Sequence, residues 1–170
     1  MPNHCHNRVT FYSDDTTAIL KLHKIFSKGL TNDDNTEKTD SVFGSFIPEP
    51  DWTKIPLNEN TIQEYSWDKP RGEIGELPVM SDDPFKGLHF ASTGKQDDRW
   101  YNWRVQNWGT KWDCYSLEID ECDMPHGFEV NFETAWSPPE EVHTAICEQF
   151  DDLSISWFYD EPGCEVAGYL

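Results

Sequence analysis

The fold is decided by residues 115–159, which read YSLEIDECDMPHGFEVNFETAWSPPEEVHTAICEQFDDLSISWFY. Apolar and polar side chains alternate at 115–120, at 128–136 and at 153–159, and this is the period of a half-buried β-strand. The turn residues at 124–127 separate the first two segments, so these two segments predict a β-hairpin with one solvated face.

A helix is predicted between the second and third of these strands. Ser137 can cap it, Pro138 suits its first position, and Glu140 completes a capping box. The apolar residues that follow at helical spacing are Val142, Ile146, Cys147 and Phe150. The segment therefore reads strand, strand, helix, strand, and a short last strand is predicted at 166–170.

The N-terminal segment supplies one more strand and helix. Residues 7–12 alternate, and cap candidates follow at 13–15. The helical stripe that comes next ends at Lys28-Gly29 and consists of Ala18, Ile19, Leu22, Ile25 and Phe26. The order strand, helix, insertion, strand, strand, helix, strand is the split βαβ pattern of an α+β, ferredoxin-like fold.

This order divides the chain into a ferredoxin-like domain at 1–30 and 112–170, and a Trp- and Pro-rich insertion at 31–111 that packs on it. Within the insertion we expect a polar loop at 31–40, a short extended piece at 42–47 and a short helix at 97–108. Helices cover one face of such a sheet, and the insertion is the candidate cover for the other.

The charge is unevenly distributed along the chain. Residues 112–170 contain 15 Asp and Glu and no Lys or Arg, while the whole chain has a formal charge of -19. A folded acidic surface repels nucleic acid and anionic membrane and attracts basic surfaces or cations. Aromatic residues make up 14% of the chain, which is typical of a folded domain rather than of a disordered acidic tail.

Several function classes lack their sequence signatures. No apolar run approaches the roughly 20 residues that span a bilayer, and the N-terminus does not read as a secretory signal. Five cysteines, an odd number at irregular spacing, favour free thiols in a reducing cytoplasm. No glycine-rich phosphate loop or nucleophile motif occurs. We therefore predict no cofactor and no catalytic residue, and the balance favours a protein that is not an enzyme.

Strand alternation predicts which side chains point away from the helices. Nucleic-acid readers on this fold use aromatic and basic residues there, so RNA recognition is not expected. We interpret the face as a docking surface for a basic partner, and the alternative is a solvated acidic face that keeps the protein soluble. The predicted partner-binding carboxylates are Glu118, Asp120, Glu129 and Glu133, and the other side chains of the face are Arg8, Thr10, Tyr12, Ser116, Asn131, Ser154, Ser156 and Phe158.

A second candidate site surrounds the tight turn at Gly109. It combines Ser137 with four residues predicted to contact a partner or ligand, which are Trp108, Lys111, Asp113 and Glu161. Lys111 is the last basic residue of the chain and could pair with Asp113 or with the Glu161 turn. The alternative is a packed junction that holds the insertion to the sheet.

Metal binding is not predicted. His4, Cys5 and His6 form one cluster, but zinc sites usually show two ligand pairs, and a strand points alternate side chains to opposite faces. Asp120, Glu121 and Asp123 could attract a hard cation, but the glycine and distal glutamate of an EF-hand loop are missing.

Six blocks of the sequence resemble the YubB-like ferredoxin-like family of plasmid and phage proteins. They are MPN at 1–3, NRVTF at 7–11, FIPEP at 46–50, NWGTKWD at 107–113, FETAWSPP at 132–139 and YDEPG at 159–163. The resemblance implies the same fold and a mobile genetic element in a bacterial host. The family has no known biochemical function, so it implies no catalytic residues.

Together these observations favour an acidic accessory protein of a phage or plasmid, in the host cytoplasm. It would bind a host protein with a basic, nucleic-acid-binding surface and inhibit a defence system, as an anti-restriction or anti-CRISPR protein that imitates DNA. The alternatives are a metal-dependent hydrolase that uses clustered carboxylates and a structural or self-assembling module. The sequence does not determine the oligomeric state.

Overall fold

The computed structural model describes residues 3–30, 41–52, 54–55, 62–65, 94–97 and 99–170. The loop predicted at 31–40 lies outside these residues. The described elements, in chain order, are β1 His4–Tyr12, α1 Thr16–Ser27, a 3-10 turn at Phe43–Ser45, β2 Ile62–Tyr65, β3 Gly94–Asp97, α2 Arg99–Asn107, β4 Tyr115–Asp120, β5 Gly127–Ala135, α3 Glu140–Gln149, β6 Ser154–Glu161 and β7 Val166–Tyr169.

The chain forms two compact units, one made of Met1–Pro50 with Trp103–Leu170 and the other of Asp51–Asn102. Residues 41–50 and 103–111, which the sequence analysis assigns to the insertion, therefore lie in the first unit. In the second unit β2 and β3 pair antiparallel, and the Arg99 guanidinium donates hydrogen bonds to two backbone carbonyls of the 52–55 segment. That the insertion packs on the sheet stays a prediction.

The first unit is built on a five-stranded sheet in the order β4-β5-β1-β6-β7, with every neighbouring pair antiparallel. The chain passes from β1 through α1 to β4, which lies beyond β5. It passes from β5 through α3 to β6, which lies beyond β1. Each crossover skips one strand, so the predicted split βαβ, ferredoxin-like α+β fold is confirmed. The predicted last strand is β7, at the sheet edge.

One core lies on the helix-covered face of this sheet. Along β1, buried and exposed residues alternate, so that Cys5, Asn7, Val9 and Phe11 are buried. The helix stripes predicted from spacing meet this face, except that Cys147 of the second stripe is exposed. Burial of each large side chain contributes roughly 1.5–3 kcal/mol. The main core residues are Val9, Phe11, Ile19, Leu22, Phe26, Phe128, Val130, Phe132, Val142, Ile146 and Trp157.

The extended piece predicted at 42–47 is wrong, because this segment contains the 3-10 turn Phe43–Ser45. The Asp113 carboxylate accepts hydrogen bonds from the backbone N–H groups of Val42 (2.8 Å) and Phe43 (3.1 Å). It thereby satisfies two donors at the start of the turn. Asp113 lies about seventy positions along the chain, so no local pattern announces this cap.

The capping role predicted for Ser137 is also wrong. Helix α3 begins at Glu140 with Pro139 in the cap position and no side-chain cap. The Ser137 hydroxyl instead donates to the backbone carbonyl of Gly109 at 2.6 Å. Strand β5 ends at Ala135, so Trp136 does not continue the buried row: its φ is 75° and its side chain is half-exposed.

Candidate functional site

The face of the sheet opposite the helices, called here the open face, carries the side chains that strand alternation predicts. Pairing in register places Glu118, Asn131, Arg8, Phe158 and Tyr169 in one row across all five strands of the sheet. A second row runs through Asp120, Glu129, Thr10 and Ser156. The four carboxylates predicted as partner-binding residues therefore lie on one face, on the neighbouring strands β4 and β5.

Three of these carboxylates, Glu118, Asp120 and Glu129, accept hydrogen bonds from neutral donors or from no other described residue. Glu129 accepts hydrogen bonds from the Asn131 amide (3.1 Å) and the Thr10 hydroxyl (3.4 Å). Hydrogen bonds from Cys122 lower the pKa of Asp120. No hydrogen bond or ion pair joins the Glu118 side chain to another described residue. Because none of these three carboxylates forms an ion pair with a described Lys, Arg or His, this half of the face concentrates negative charge.

Glu133 is different because two histidines contact its carboxylate. Its two oxygens lie 3.2 Å from His4 Nδ1 and 3.4 Å from His6 Nδ1. Since an ionised carboxylate only accepts hydrogen bonds, His4 donates to Glu133 when its Nδ1 carries the ring proton, and His6 forms an ion pair with Glu133 when its ring is protonated. The Tyr115 hydroxyl lies 3.0 Å from His4 Nδ1 and donates to the Thr134 carbonyl at 3.2 Å. Burial and then the Glu133 charge raise the pKa of Tyr115.

A β-bulge in β4 lies beside this cluster. The pairing of β4 with β5 shifts between Tyr115 and Glu118, and Ser116 has a left-handed φ of 51°. A non-glycine residue there costs on the order of 1–3 kcal/mol. The bulge brings the Ser116 hydroxyl to 3.4 Å from a Glu133 oxygen. Bulges commonly redirect a side chain at sites of function. The strained backbone therefore lies at the same end of the open face as the cluster around Glu133.

A shallow trough of about 450 Å³ crosses the middle of the open face. Its lining has both signs of charge, with Arg8 at the centre and three carboxylates around it. The Arg8 Cζ atom lies 5.6 Å from the centre of the Phe158 ring, a cation–π contact. The trough is lined by His6, Asn7, Arg8, Ser116, Glu118, Asn131, Phe132, Glu133, Phe158 and Asp160.

The sequence analysis did not select His4, His6, Tyr115, Arg8 or Asp160 as site residues. Arg8 was assigned to the open face but not to the site, and the histidines were considered only as metal ligands. The partners of His6 become visible only when β1 is paired with β5 and β6, which places it between Glu133 and Asp160. Alternation alone gives the face of each residue but not its cross-strand neighbour.

The second predicted site is made of residues with internal partners. Trp108 is 1% exposed, and its indole N–H donates to the Ile47 carbonyl at 3.0 Å. Asp113 accepts the backbone hydrogen bonds of the 3-10 turn and that of Cys114. The Lys111 ammonium lies 4.5 Å from the centre of the Trp112 ring. The contacts of Trp108 and Asp113 are those of a packed junction.

Glu161 is 2% exposed and lies at the end of β6, where it belongs to the turn that follows. Its carboxylate accepts hydrogen bonds from the Cys164 side chain and from the Cys164 backbone. These hydrogen bonds lower the pKa of Glu161, and the one from the side chain has the larger effect. Glu161 therefore holds the turn, and it lies on the face of the sheet opposite the trough, next to Cys5.

Within the part of the chain that the structure describes, no group of three or more His, Cys, Asp and Glu side chains could hold a metal ion. Cys5 lies on the buried face, while His4 and His6 lie on the open face. Burial raises the pKa of the Cys5 thiol to about 11. All five cysteines are free thiols. No described helix is long and apolar enough to cross a membrane.

Comparison with known proteins supports the fold of the C-terminal part. Residues 111–170 match the family described as a ferredoxin-like domain in Api92-like protein. The chain is also similar to the crystal structure of the protein Api92 from Yersinia pseudotuberculosis, at 12% identity and a TM-score of 0.47, over 99% of this chain and 93% of that one. Curated proteins give no match. The matched segment holds β4, β5, α3, β6 and β7, and it is ferredoxin-like in both sequence and topology.

Proposed function

We propose that this chain is a binding protein whose open face docks on the basic, nucleic-acid-binding surface of a host protein and blocks that surface. The observation that carries the proposal is the placement of Glu118, Asp120, Glu129 and Glu133 on two adjacent strands of one exposed face. Fixed negative charge of this kind raises the association rate with a basic partner and repels nucleic acid.

A rigid sheet supports this reading better than a flexible acidic tail would. The backbone of β4 and β5 is held by the ladder and by the core beneath Val130 and Phe132. The backbone positions of the carboxylates are therefore fixed before binding, and this chain loses less conformational freedom when a partner docks. The absence of Lys and Arg after residue 111 leaves no basic side chain on these strands to cancel the field.

We infer a bacterial host cytoplasm as the setting of this action, and the resemblance of six sequence blocks to plasmid and phage proteins supports that inference. In that setting, proteins with basic nucleic-acid-binding surfaces include restriction and CRISPR components. We therefore propose an anti-restriction or anti-CRISPR function, in which the acidic face takes the place of DNA. The proposed mode involves no direct contact with nucleic acid or membrane.

Capture from bacterial lysate followed by competition tests this function. The wild-type chain should retain a partner that added duplex DNA releases. The triple charge reversal Glu118→Lys, Glu129→Lys and Glu133→Lys should lose that partner, whereas Glu148→Lys, on the exposed side of α3, should keep it. Retention of the same partners by the triple variant, or capture that DNA does not affect, would overturn the proposal.

Two alternatives make different predictions. A metal-dependent hydrolase should retain a divalent ion when purified without added metal, and elemental analysis measures this directly. A self-assembling module should show a mass above the monomer in light scattering at working concentration. If no DNA-sensitive partner is captured, a tightly bound ion would favour the hydrolase, and a stable oligomer would favour the self-assembling module.

A further inference from the structure

Arg8 is the one Lys or Arg on the open face of β1, and it lines the trough together with His6. Glu118, Glu133 and Asp160 line the same trough. Even so, none of the described carboxylates lies within ion-pair distance of the Arg8 guanidinium, whose contact is the ring of Phe158. An arginine placed only to neutralise its neighbours would be expected to pair with one of them.

The register separates the charges across the trough. Arg8 has Asn131 beside it on β5, and Glu118 follows on β4, two strands from Arg8. With neighbouring strands about 4.8 Å apart, the backbones of Arg8 and Glu118 lie roughly 10 Å apart. On the other side, Phe158 is the cross-strand neighbour of Arg8 on β6. Asp160, the next open-face residue of β6, lies diagonally from Arg8 and directly opposite His6.

Neither flanking carboxylate has an internal partner. No hydrogen bond or ion pair connects the Glu118 or Asp160 side chain to another side chain in the described part of the chain. Glu133, the third carboxylate of the trough, is contacted by His4 and His6. The trough thus presents an unpaired positive charge with an unpaired negative charge on each side, and its complement is a negative charge between two positive ones.

We propose that Arg8 is a selectivity residue of the docking face, and this proposal rests on the function proposed above. The occupant of the trough is a segment of the basic partner in which one acidic side chain lies between two basic ones. The acidic group pairs with Arg8, and the basic groups pair with Glu118 and Asp160. A uniformly basic segment places a like charge against Arg8 and binds less well.

A second copy of this chain is a poorer occupant, although a mixed-charge trough can complement itself in part. Two chains of formal charge -19 repel each other over the rest of their surfaces. A partner that is basic overall gains from the same field.

Three short peptides test the proposal by amide chemical-shift titration of the full-length chain at low salt. The first has the order Lys-Gly-Glu-Gly-Lys and the second is its isomer Glu-Gly-Lys-Gly-Lys, both with blocked ends and equal net charge. The third is Lys-Gly-Lys-Gly-Lys. We expect the first peptide to bind the wild type about three- to tenfold tighter than its isomer. The isomer loses the pairing with Arg8 and one of the two end pairings, and two exposed ion pairs together are typically worth about that much.

The variant Arg8→Gln should reduce the preference between the two isomers to the part that comes from Glu118 and Asp160, and should tighten binding of the all-lysine peptide. Arg8→Lys should retain the preference, and its amide spectrum shows whether position 8 tolerates substitution. Glu148→Gln, which removes one charge from α3, should weaken the two isomers equally and the more highly charged all-lysine peptide somewhat more, and it should leave the preference between the isomers unchanged.

The outcomes separate the two proposals. If the all-lysine peptide binds but the isomers bind equally to the wild type, the selectivity assigned to Arg8 is wrong while the docking face survives. If no peptide binds, the proposed function itself fails. Peptide-induced shifts that map outside the trough would also overturn the assignment. Shifts in the trough that depend on protein concentration in the absence of peptide would overturn it in favour of a second copy as the occupant.

Discussion

The junction at residues 108–113 and the open face of β4 and β5 are neighbours in the chain, but their side chains have opposite surroundings. In the junction, Trp108 is buried and Asp113 accepts hydrogen bonds from a distant turn. On the open face, Glu118 is exposed and its side chain has no hydrogen bond or ion pair with a described residue, and Glu129 and Glu133 contact side chains of the same face. The comparison predicts that substitutions in the junction change stability, and that substitutions on the face change binding.

The largest effect is expected for Trp108→Ala. The ring packs against Phe43 and Trp103, with ring centres 5.9 and 5.8 Å away, and its N–H donates to Ile47. Its removal leaves a cavity and an unsatisfied carbonyl, so the free energy of unfolding should fall by about 3–5 kcal/mol. Urea denaturation measures this loss. A loss below about 1 kcal/mol would show that the junction is not part of the core.

The next largest effect is expected for Asp113→Ala. This change leaves the N–H groups of Val42 and Phe43 without their acceptor. Hydrogen bonds to a charged group are worth about 1.5–3 kcal/mol each, and water recovers part of that at a half-buried site, so we expect a net loss of about 2–3 kcal/mol. Asp113→Asn keeps one oxygen and should lose less. Equal losses for the two variants would contradict the capping role.

Local periodicity predicted the fold and the open face because both depend on near neighbours in the sequence. The alternation of Tyr115–Asp120 and of Gly127–Ala135 gives the strands, and the helix stripes give the buried side. The order of these elements restricts the topology to the split βαβ pattern. None of these steps needs a contact between distant parts of the chain.

The features that the sequence analysis missed depend on contacts between residues that are distant in the chain. The 3-10 turn at Phe43–Ser45 depends on Asp113, and the Ser137 hydroxyl goes to Gly109 rather than to its own helix. The contacts of His4 and His6 with Glu133 depend on which residues face each other across β1 and β5. Each of these is a long-range polar contact, and residue type does not reveal its partner.

A smaller, pH-dependent effect is expected for Glu161→Gln. Hydrogen bonds from Cys164 lower the pKa of Glu161 in the folded state. The ionised group therefore stabilises the fold above the pKa of unfolded glutamate, about 4.3, and this contribution is lost as the pH falls through the lower folded value. The difference in Tm between wild type and variant should be constant at neutral pH and narrow below about pH 4.

Glu165→Gln is the matched control for that series, because Glu165 is an exposed carboxylate on the same turn. Its Tm difference from the wild type should be small at every pH. A Glu161→Gln variant whose Tm difference widens in acid would contradict the lowered pKa, since removing a carboxylate that favours its ionised form in the fold cannot cost more where that carboxylate is protonated.

The smallest effect on stability, and the one that most directly separates the face from the junction, is expected for Glu118→Gln. The side chain is exposed and has no partner among the described residues, so the free energy of unfolding should change by no more than about 0.5 kcal/mol. Association with a hexalysine peptide should nevertheless slow, by about two- to fivefold at low salt and less at high salt, because the lost charge contributes to steering. Stopped-flow fluorescence measures the association rate at low and at high salt.

Glu148→Gln removes the same charge from α3 and should slow association less. Equal slowing by the two variants would mean that hexalysine responds to net charge alone. The open face would then be a solvated acidic surface rather than a docking site.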